Sequence, residues 1–346
     1  MIFLGDLACP DNRIDAFLDC INSMELFRDE IIVINLEANI VDNKDERKIL
    51  TLYNNSKIVN SFGQAKKVIV SLANNHMYDY PGKILPTKES LENAGIGVFG
   101  LYEGDKILPF EYTDVNGKTY AFFGHCWCVY TNTNKNTEND IRVVDCPYDE
   151  FLDIIRSYIS THPGVEVYCF MHWNYDLEKY PFPVLRILAH KLIDCGISGV
   201  IGSHSHRPQG IEIYKGVPIA YCLGNFYLPS GCYFDGKLCY PDFSKTTYGI
   251  KIGKTTCDRV WFDTDTDKNI PVMLKQIDED IIHNHDVSDY INMSERDYLL
   301  FYKKNRIKKV FVPVFDEFEG AKLKRQEQWA ITRVKILRYL KGVFKK

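Results

Sequence analysis

Short apolar runs alternate with amphipathic stretches along the first 262 residues of the chain. Val68-Ile69-Val70-Ser71-Leu72 is a β-branched run of strand length, as expected of a strand covered on both faces. Residues 184, 185, 188, 189, 192 and 193 are apolar at a 3.6-residue period, and the pattern stops at Gly196, which predicts a helix over 183–195. Read throughout in this way, the sequence predicts strands at 2–5, 31–37, 67–73, 97–100, 107–113, 119–125, 165–171, 198–202 and 217–223. It predicts helices near 13–27, 86–94, 148–161 and 183–195. Strands alternating with helices imply an α/β fold. The 107–125 segment turns at Asn116-Gly117 like a hairpin, so the sheet is expected to be mixed. Residues 129–146 and 228–247 read as polar surface excursions, the second placed to overhang a site or to serve as a plain loop.

The pattern changes after residue 262. Acidic and apolar residues mix to about 302, and basic ones dominate beyond. The expected division is a first domain at 1–262 and a mixed, then basic, mainly helical extension at 263–346. Residues 303–346 hold 14 Lys and Arg against 4 Asp and Glu; the whole chain carries −4, which leaves −14 for the first 302 residues. An acidic body argues against nucleic acid as a partner. Ala330, Val334, Leu337, Leu340 and Phe344 recur at helical spacing, with Arg333, Lys335, Arg338 and Lys341 between them. Such a helix docks its apolar stripe on the acidic body, the favoured reading, or contacts a membrane surface or a protein complex.

Cysteine and hydropathy narrow the setting. The 11 cysteines have no repeating spacing, and Cys126-Trp127-Cys128 lacks the second pair of a zinc knuckle, so a reduced compartment is expected. No apolar run reaches the roughly 18 residues of a spanning helix. The chain opens directly on Ile2-Phe3-Leu4 rather than on a signal-peptide pattern. The expected location is cytoplasmic, at most peripheral to the inner membrane.

The residues able to carry chemistry each follow an apolar run. They lie in Phe3-Leu4-Gly5-Asp6, in Val33-Ile34-Asn35-Leu36-Glu37, in Val70-Ser71-Leu72-Ala73-Asn74-Asn75-His76, in Tyr168-Cys169-Phe170-Met171-His172 and in Ile201-Gly202-Ser203-His204-Ser205-His206. Strand ends gather at one edge of a sheet, so residues distant in sequence can meet there. An extended backbone through His204-Ser205-His206 would point both imidazoles to one side. Carboxylates, imidazoles and amide oxygens suit a hard or borderline divalent ion. A bridging carboxylate can hold two ions about 3.5–4 Å apart, the spacing of two-metal hydrolases. Taken singly, an Asp after a strand is usually a turn or cap residue, and a lone His a hydrogen-bonded core or surface group. Their common placement is what favours a joint site.

These residues also carry a resemblance. Asn35-Leu36-Glu37, Ser71-Leu72-Ala73-Asn74-Asn75-His76 with Asp79-Tyr80 and Gly82, and His172-Trp173 are similar to motifs of the CapA family. So are Leu188-Ala189-His190-Lys191-Leu192-Ile193-Asp194-Cys195-Gly196, Gly202-Ser203-His204-Ser205-His206, Gln209-Gly210-Ile211-Glu212 and Tyr221-Cys222-Leu223-Gly224-Asn225-Phe226. That family comprises poly-γ-glutamate capsule-synthesis-type proteins of the calcineurin-like metallophosphoesterase superfamily. The resemblance runs over about residues 1–227 and excludes the extension. It implies a sandwich of two mixed sheets flanked by helices, with a dinuclear site at the strand ends. It assigns Asp6 and His206 to the first ion, Glu37 to the bridge, and Asn75, His172 and His204 to the second ion. His76 becomes the general acid. Arg207, beside the cluster, and Asn74 are the candidate substrate contacts.

The resemblance implies divalent Mn, Fe or Zn, two ions or only one held firmly. The superfamily's first motif is Asp-x-His, and here Asp6-Leu7-Ala8 lacks the imidazole. The first ion would then bind loosely, recruit Asp11, or be absent. Asn174 also replaces a glycine, and Pro81 interrupts the usual run after Asp79. The implied function is a metal-dependent hydrolase or transferase in capsule or surface-polymer biosynthesis, of poly-γ-glutamate or polysaccharide. Its substrate would be an anionic polymer or a small phosphoester or amide. The rival expectations are a non-catalytic accessory or scaffold in an assembly complex, and a module that binds a polymer end.

Overall fold

A computed structural model of the chain describes residues 1–43, 51–131, 141–253, 256–264, 269–273, 290–307 and 311–343, with side chains described as far as 336. Alternation along each strand sorts apolar residues onto two faces. In β1 (Ile2–Leu7), Ile2 and Leu4 face helices while Phe3 faces the opposite sheet. In β9 (Glu166–His172), Val167, Cys169 and Met171 face helices while Tyr168 and Phe170 turn inward. Two sheets therefore pack face to face over a shared core that includes Phe3, Val33, Phe99, Phe122, Phe170 and Trp261.

The first sheet has the parallel series β1, β2 (Ile31–Leu36), β3 (Lys67–Ser71) and β4 (Gly97–Phe99). Antiparallel β14 (Thr247–Ile252), β15 (Cys257–Thr264) and β16 (Pro271–Met273) continue it beyond β1, and β13 (Asn225–Tyr227) pairs in parallel with the end of β1. The second sheet runs in the order β11 (Ile211–Tyr214), β12 (Val217–Ala220), β10 (Gly199–Ser203), β9, β8 (Thr119–Cys126), β7 (Phe110–Thr113), with antiparallel outer strands. A small hairpin, β5 (Tyr102–Glu103) with β6 (Lys106–Ile107), stands apart. Helices α1 (Ile14–Asn22) and α2 (Ile84–Asn93) cover the first sheet. Helices α4 (Tyr148–Thr161) and α5 (Pro183–Asp194) cover the second, and a short α3 (Cys128–Thr131) follows β8. The mixed two-sheet sandwich flanked by helices is the architecture expected from sequence.

Several boundaries differ, each for a local reason. The strand expected at 107–113 is broken at Pro109, which has no N–H to give a ladder, so β6 and β7 are separate. The strand expected at 217–223 stops at Ala220. The chain then crosses from one sheet to the other through Gly224 (φ 82°) and enters β13. The antiparallel strands β14 to β16 carry the first sheet past residue 262, where the composition changes.

The extension is part of the same body. Tyr290, Tyr298 and Tyr302 of α6 (Glu295–Asn305) and its approach join the core over the second sheet. So do Phe315, Phe318, and Leu323, Ala330 and Ile331 of α7 (Ala321–Val343). The Val184 N–H donates to Phe315 O at 2.9 Å. Of the apolar stripe expected on α7, Ala330 is buried and Val334 half-buried; the side chains of Leu337, Leu340 and Phe344 lie outside the described residues. Trp329 and Ile336 are exposed on another face of the helix. No helix among the described residues is long and apolar enough to cross a membrane.

Candidate metal centre

The site forms where strand ends from both sheets meet. Asp6 lies near the end of β1, Glu37 just beyond β2, and Asn74, Asn75 and His76 follow β3. His172 is the last residue of β9, His204 and His206 follow β10, and Asn225 opens β13. Asp6 and Asn225 are register partners across the β1–β13 pair. Two glycines permit this convergence. A Cβ on Gly5 would lie 1.9 Å from Gly224 O, and one on Gly202 would lie 1.9 Å from Tyr221 O and 2.6 Å from Trp173 Nε1. Gly202→Ala must push backbone from backbone, so it is expected to destabilise the protein by on the order of 3 kcal/mol. Chemical denaturation checks this; an unchanged midpoint would mean that the strand spacing is soft.

Asp6 and Glu37 are fully buried. Asp6 Oδ1 accepts from Asn35 Nδ2 at 2.7 Å, and Oδ2 accepts from the His204 N–H at 3.1 Å. His206 Nδ1 lies 3.6 Å from Asp6 Oδ2 and 2.8 Å from Asn225 Oδ1. Glu37 Oε1 is ringed by Nε2 atoms, 3.7 Å from His76, 3.9 Å from His172 and 3.8 Å from His206. His172 Nε2 lies 2.9 Å from both Asn75 Oδ1 and His204 Nδ1, and its Nδ1 lies 2.9 Å from Ser203 Oγ. Glu37, His204 and His206 offer ligand atoms all within 4.8 Å of one another.

The electrostatics single out Glu37. Neither of its carboxylate oxygens has a hydrogen-bond partner among the described residues, although both are buried. Buried polar groups are nearly always satisfied, and ligand atoms about 2.1 Å from a shared ion sit roughly 3–3.5 Å apart. A divalent cation would satisfy this carboxylate, and the donor set fits one. Burial, then the neighbouring Asp6 charge, pushes the Glu37 carboxyl well above its usual range. Burial also raises Asp6, against the pull of His206. Burial, followed by His204 and His206, holds His172 neutral-leaning, and burial lowers His206 as well. Neutral imidazoles are the form that binds metal. His76 differs: burial lowers its pKa, but the Asp79 carboxylate, which accepts from Nδ1 at 2.8 Å, acts with the Asp176 and Asp6 charges against it and the net shift is upward.

The expected residues thus come together, with two differences in how they do so. The His204-Ser205-His206 backbone is not extended, since β10 ends at Ser203 and His204 and His206 adopt φ of 87° and 52°. Left-handed turns bring the imidazoles together, their ring centres 5.7 Å apart. Asn74 is fully buried, and its Nδ2 donates to Asn35 Oδ1 and Leu36 O, so it braces the end of β2. The Arg207 guanidinium lies 4.1 Å over the Phe243 ring, and burial lowers its pKa. Ala8 sits in a small apolar cluster with Ala38, Leu52, Leu228 and Tyr233. Asp11 accepts a hydrogen bond from Asn55. Sequence reasoning named no role for Asn225 or for Asp176, whose Oδ1 lies 3.2 Å from His204 Nε2. The signals available were Asn225 in the Leu-Gly-Asn-Phe turn and an acid four residues past His172.

Two carboxylates, three imidazoles and an amide oxygen converging at strand ends define a candidate divalent-cation centre on an α/β sandwich. The chain belongs to the bacterial capsule synthesis protein family PGA_cap, whose family model matches residues 14–230. It is similar to PGA biosynthesis protein CapA of Bacillus subtilis (strain 168), 26% identical over 205 residues that cover 54% of this chain and 50% of that protein. It is also similar to capsule biosynthesis protein CapA of Bacillus anthracis, 27% identical over 181 residues that cover 50% of this chain and 43% of that protein. The chain spans about half the length of the curated relatives it matches. Among solved structures, that of Haemophilus influenzae NAD nucleotidase overlays at a TM-score of 0.32 and 11% identity, covering 72% of this chain and 52% of that one.

Proposed function

We propose that the chain is a metal-dependent hydrolase or transferase acting in the biosynthesis of a capsule or related surface polymer. The observation that carries this reading is the buried Glu37 carboxylate, without a hydrogen-bond partner among the described residues and surrounded by imidazole nitrogens. Asp6, Glu37, Asn75, His172, His204 and His206 would hold one or two divalent ions, Mn, Fe or Zn. Bound there, such ions supply Lewis acidity to the scissile group. Asn225 orients His206 through Nδ1 and leaves Nε2 facing Glu37. His76, with one face at solvent and Nδ1–H held by Asp79, delivers a proton from Nε2 to the leaving oxygen or nitrogen. Arg207 steadies anionic substrate at the rim.

The name of the Bacillus subtilis relative, a PGA biosynthesis protein, supports poly-γ-glutamate as the polymer, and the bond acted on would be an amide or a phosphoester. Contact with a membrane surface or an assembly complex, on the cytoplasmic side, falls to the exposed Trp329 and Ile336 with neighbouring Arg325 and Lys335. The direct test is elemental analysis after dialysis against Mn, Fe or Zn, joined to turnover of a phosphoester and a γ-glutamyl amide. The expected result is bound metal with metal-dependent turnover of one of the two. Protein that holds no metal and turns over neither would leave an accessory or polymer-binding role in its place.

A further inference from the structure

We propose that Asp176 is the carboxylate that orients the His204 ligand of this centre through its outer nitrogen, and that Glu178, seated on the C-terminal extension, is the residue that positions it; the proposal rests on the metal-centre reading above. Asp176 Oδ1 lies 3.2 Å from His204 Nε2, and its side chain is half exposed at the mouth of the site. Its charge reaches Glu37, His76, His172 and His206 alike. Asp6 and Glu37 place two carboxylates among the site imidazoles, and Asp176 adds a third beside His204.

The loop that presents Asp176 is not one the local sequence favours. Asn174 and Leu177, on either side, adopt φ of 76° and 61°. Left-handed backbone at a leucine persists only where surrounding contacts over-determine it. Those contacts are present. Asn174 Nδ2 donates to Tyr180 O at 3.1 Å, and the Leu177 N–H donates to Ser205 O at 2.7 Å, tying the loop to the His204–His206 turn. Gln209 Nε2 donates to Glu178 O at 2.9 Å.

The remaining hold comes from the extension, outside the residues the family model matches. The fully buried Glu178 carboxylate accepts the Ile307 N–H, at 3.0 Å on Oε1 and 3.2 Å on Oε2. Ile307 lies just past α6. On the same helix, Tyr298 Oη donates to Pro181 O at 2.6 Å, fastening the far end of the loop. Phe182 packs on Phe315 with ring centres 5.2 Å apart. The extension therefore sets the position of an acid at the cation pocket.

The test is a titration of the full-length protein with Mn2+, followed by calorimetry and by the electron paramagnetic resonance of the bound ion. Asp176→Asn is expected to weaken Mn2+ binding about 10- to 100-fold and to alter the spectrum of the bound ion, with the metal-free melting temperature unchanged. Glu178→Ala is expected to weaken binding as well, and Glu178→Gln, which keeps one acceptor for Ile307, to restore most of it. Should Glu178→Ala fail to fold, Tyr298→Phe removes a single hydroxyl from the same brace and is expected to weaken binding in the same direction. Wild-type affinity or tighter binding in Asp176→Asn overturns the proposal and leaves the centre standing. Absence of Mn2+ binding by the unaltered protein overturns the centre, and the proposal with it.

Discussion

Glu37→Gln is expected to move the metal-free and metal-loaded proteins in opposite directions. In the metal-free protein, the Glu37 carboxyl is fully buried beside Asp6, and neither oxygen finds a hydrogen bond among the described residues. It carries either an unpaired buried charge or a proton taken up against its ordinary tendency. An unpaired buried charge costs several kcal/mol, whereas an unsatisfied neutral amide costs about 1–3 kcal/mol. Glutamine should therefore raise the metal-free stability by on the order of 1–2 kcal/mol, a shift of a few degrees in the melting temperature. In the metal-loaded protein, the same change removes the anionic oxygen facing three imidazoles. Affinity should fall by at least about 100-fold, which removes roughly 2.7 kcal/mol of ligand-linked stability. Thermal melts of both proteins, with and without Mn2+, read the two effects together. A metal-free variant that melts well below the parent would show that Glu37 is a structural group, and the cation centre would lose its main support.

The parts of this site that were legible in the sequence are those fixed by strand ends. Asp6, Glu37, Asn75 and His172 each follow an apolar run, and parallel strands ending at one edge bring such residues together whatever the loops do. The convergence of His204 and His206 was legible too, but the mechanism was not. It depends on two positive φ values that a non-glycine sequence does not announce. Asn225 was out of reach because its strand has three residues and forms only once the chain has crossed between sheets. Asp176 is set by contacts between Glu178 and Ile307, which are 129 residues apart. Strands β14 and β15 were missed because Lys251, Asp258 and Arg259 interrupt their apolar pattern. Propensity and periodicity report what a segment buries against its own sheet, and these features arise between segments.

His76→Ala is expected to separate chemistry from binding. The His76 ring is held by Asp79 at Nδ1, and its Nε2 stands 3.7 Å from Glu37 Oε1 with part of the ring at solvent. That placement suits a group that faces the substrate across the pocket, whereas His172 and His206 are almost wholly buried and turned to the carboxylates. Loss of a general acid typically lowers turnover by about 10²- to 10⁴-fold, so kcat should fall by that much while Mn2+ affinity stays within a few-fold of the parent. Asp79→Asn refines the test. The Asp79 carboxylate is the foremost of the charges that favour the protonated ring, ahead of Asp176 and Asp6, so in its absence the protonated form should be lost at a lower pH than in the parent. The alkaline limb of the rate profile would move down, and turnover at acid pH would be largely kept. A His76→Ala protein that keeps full turnover would remove His76 from the chemistry, and one that loses its metal would make His76 a ligand. Either result would require a different proton donor, and Tyr130 and Tyr240, whose ring centres lie 4.2 Å from that of His204 and 5.0 Å from that of His206, stand beside the pocket.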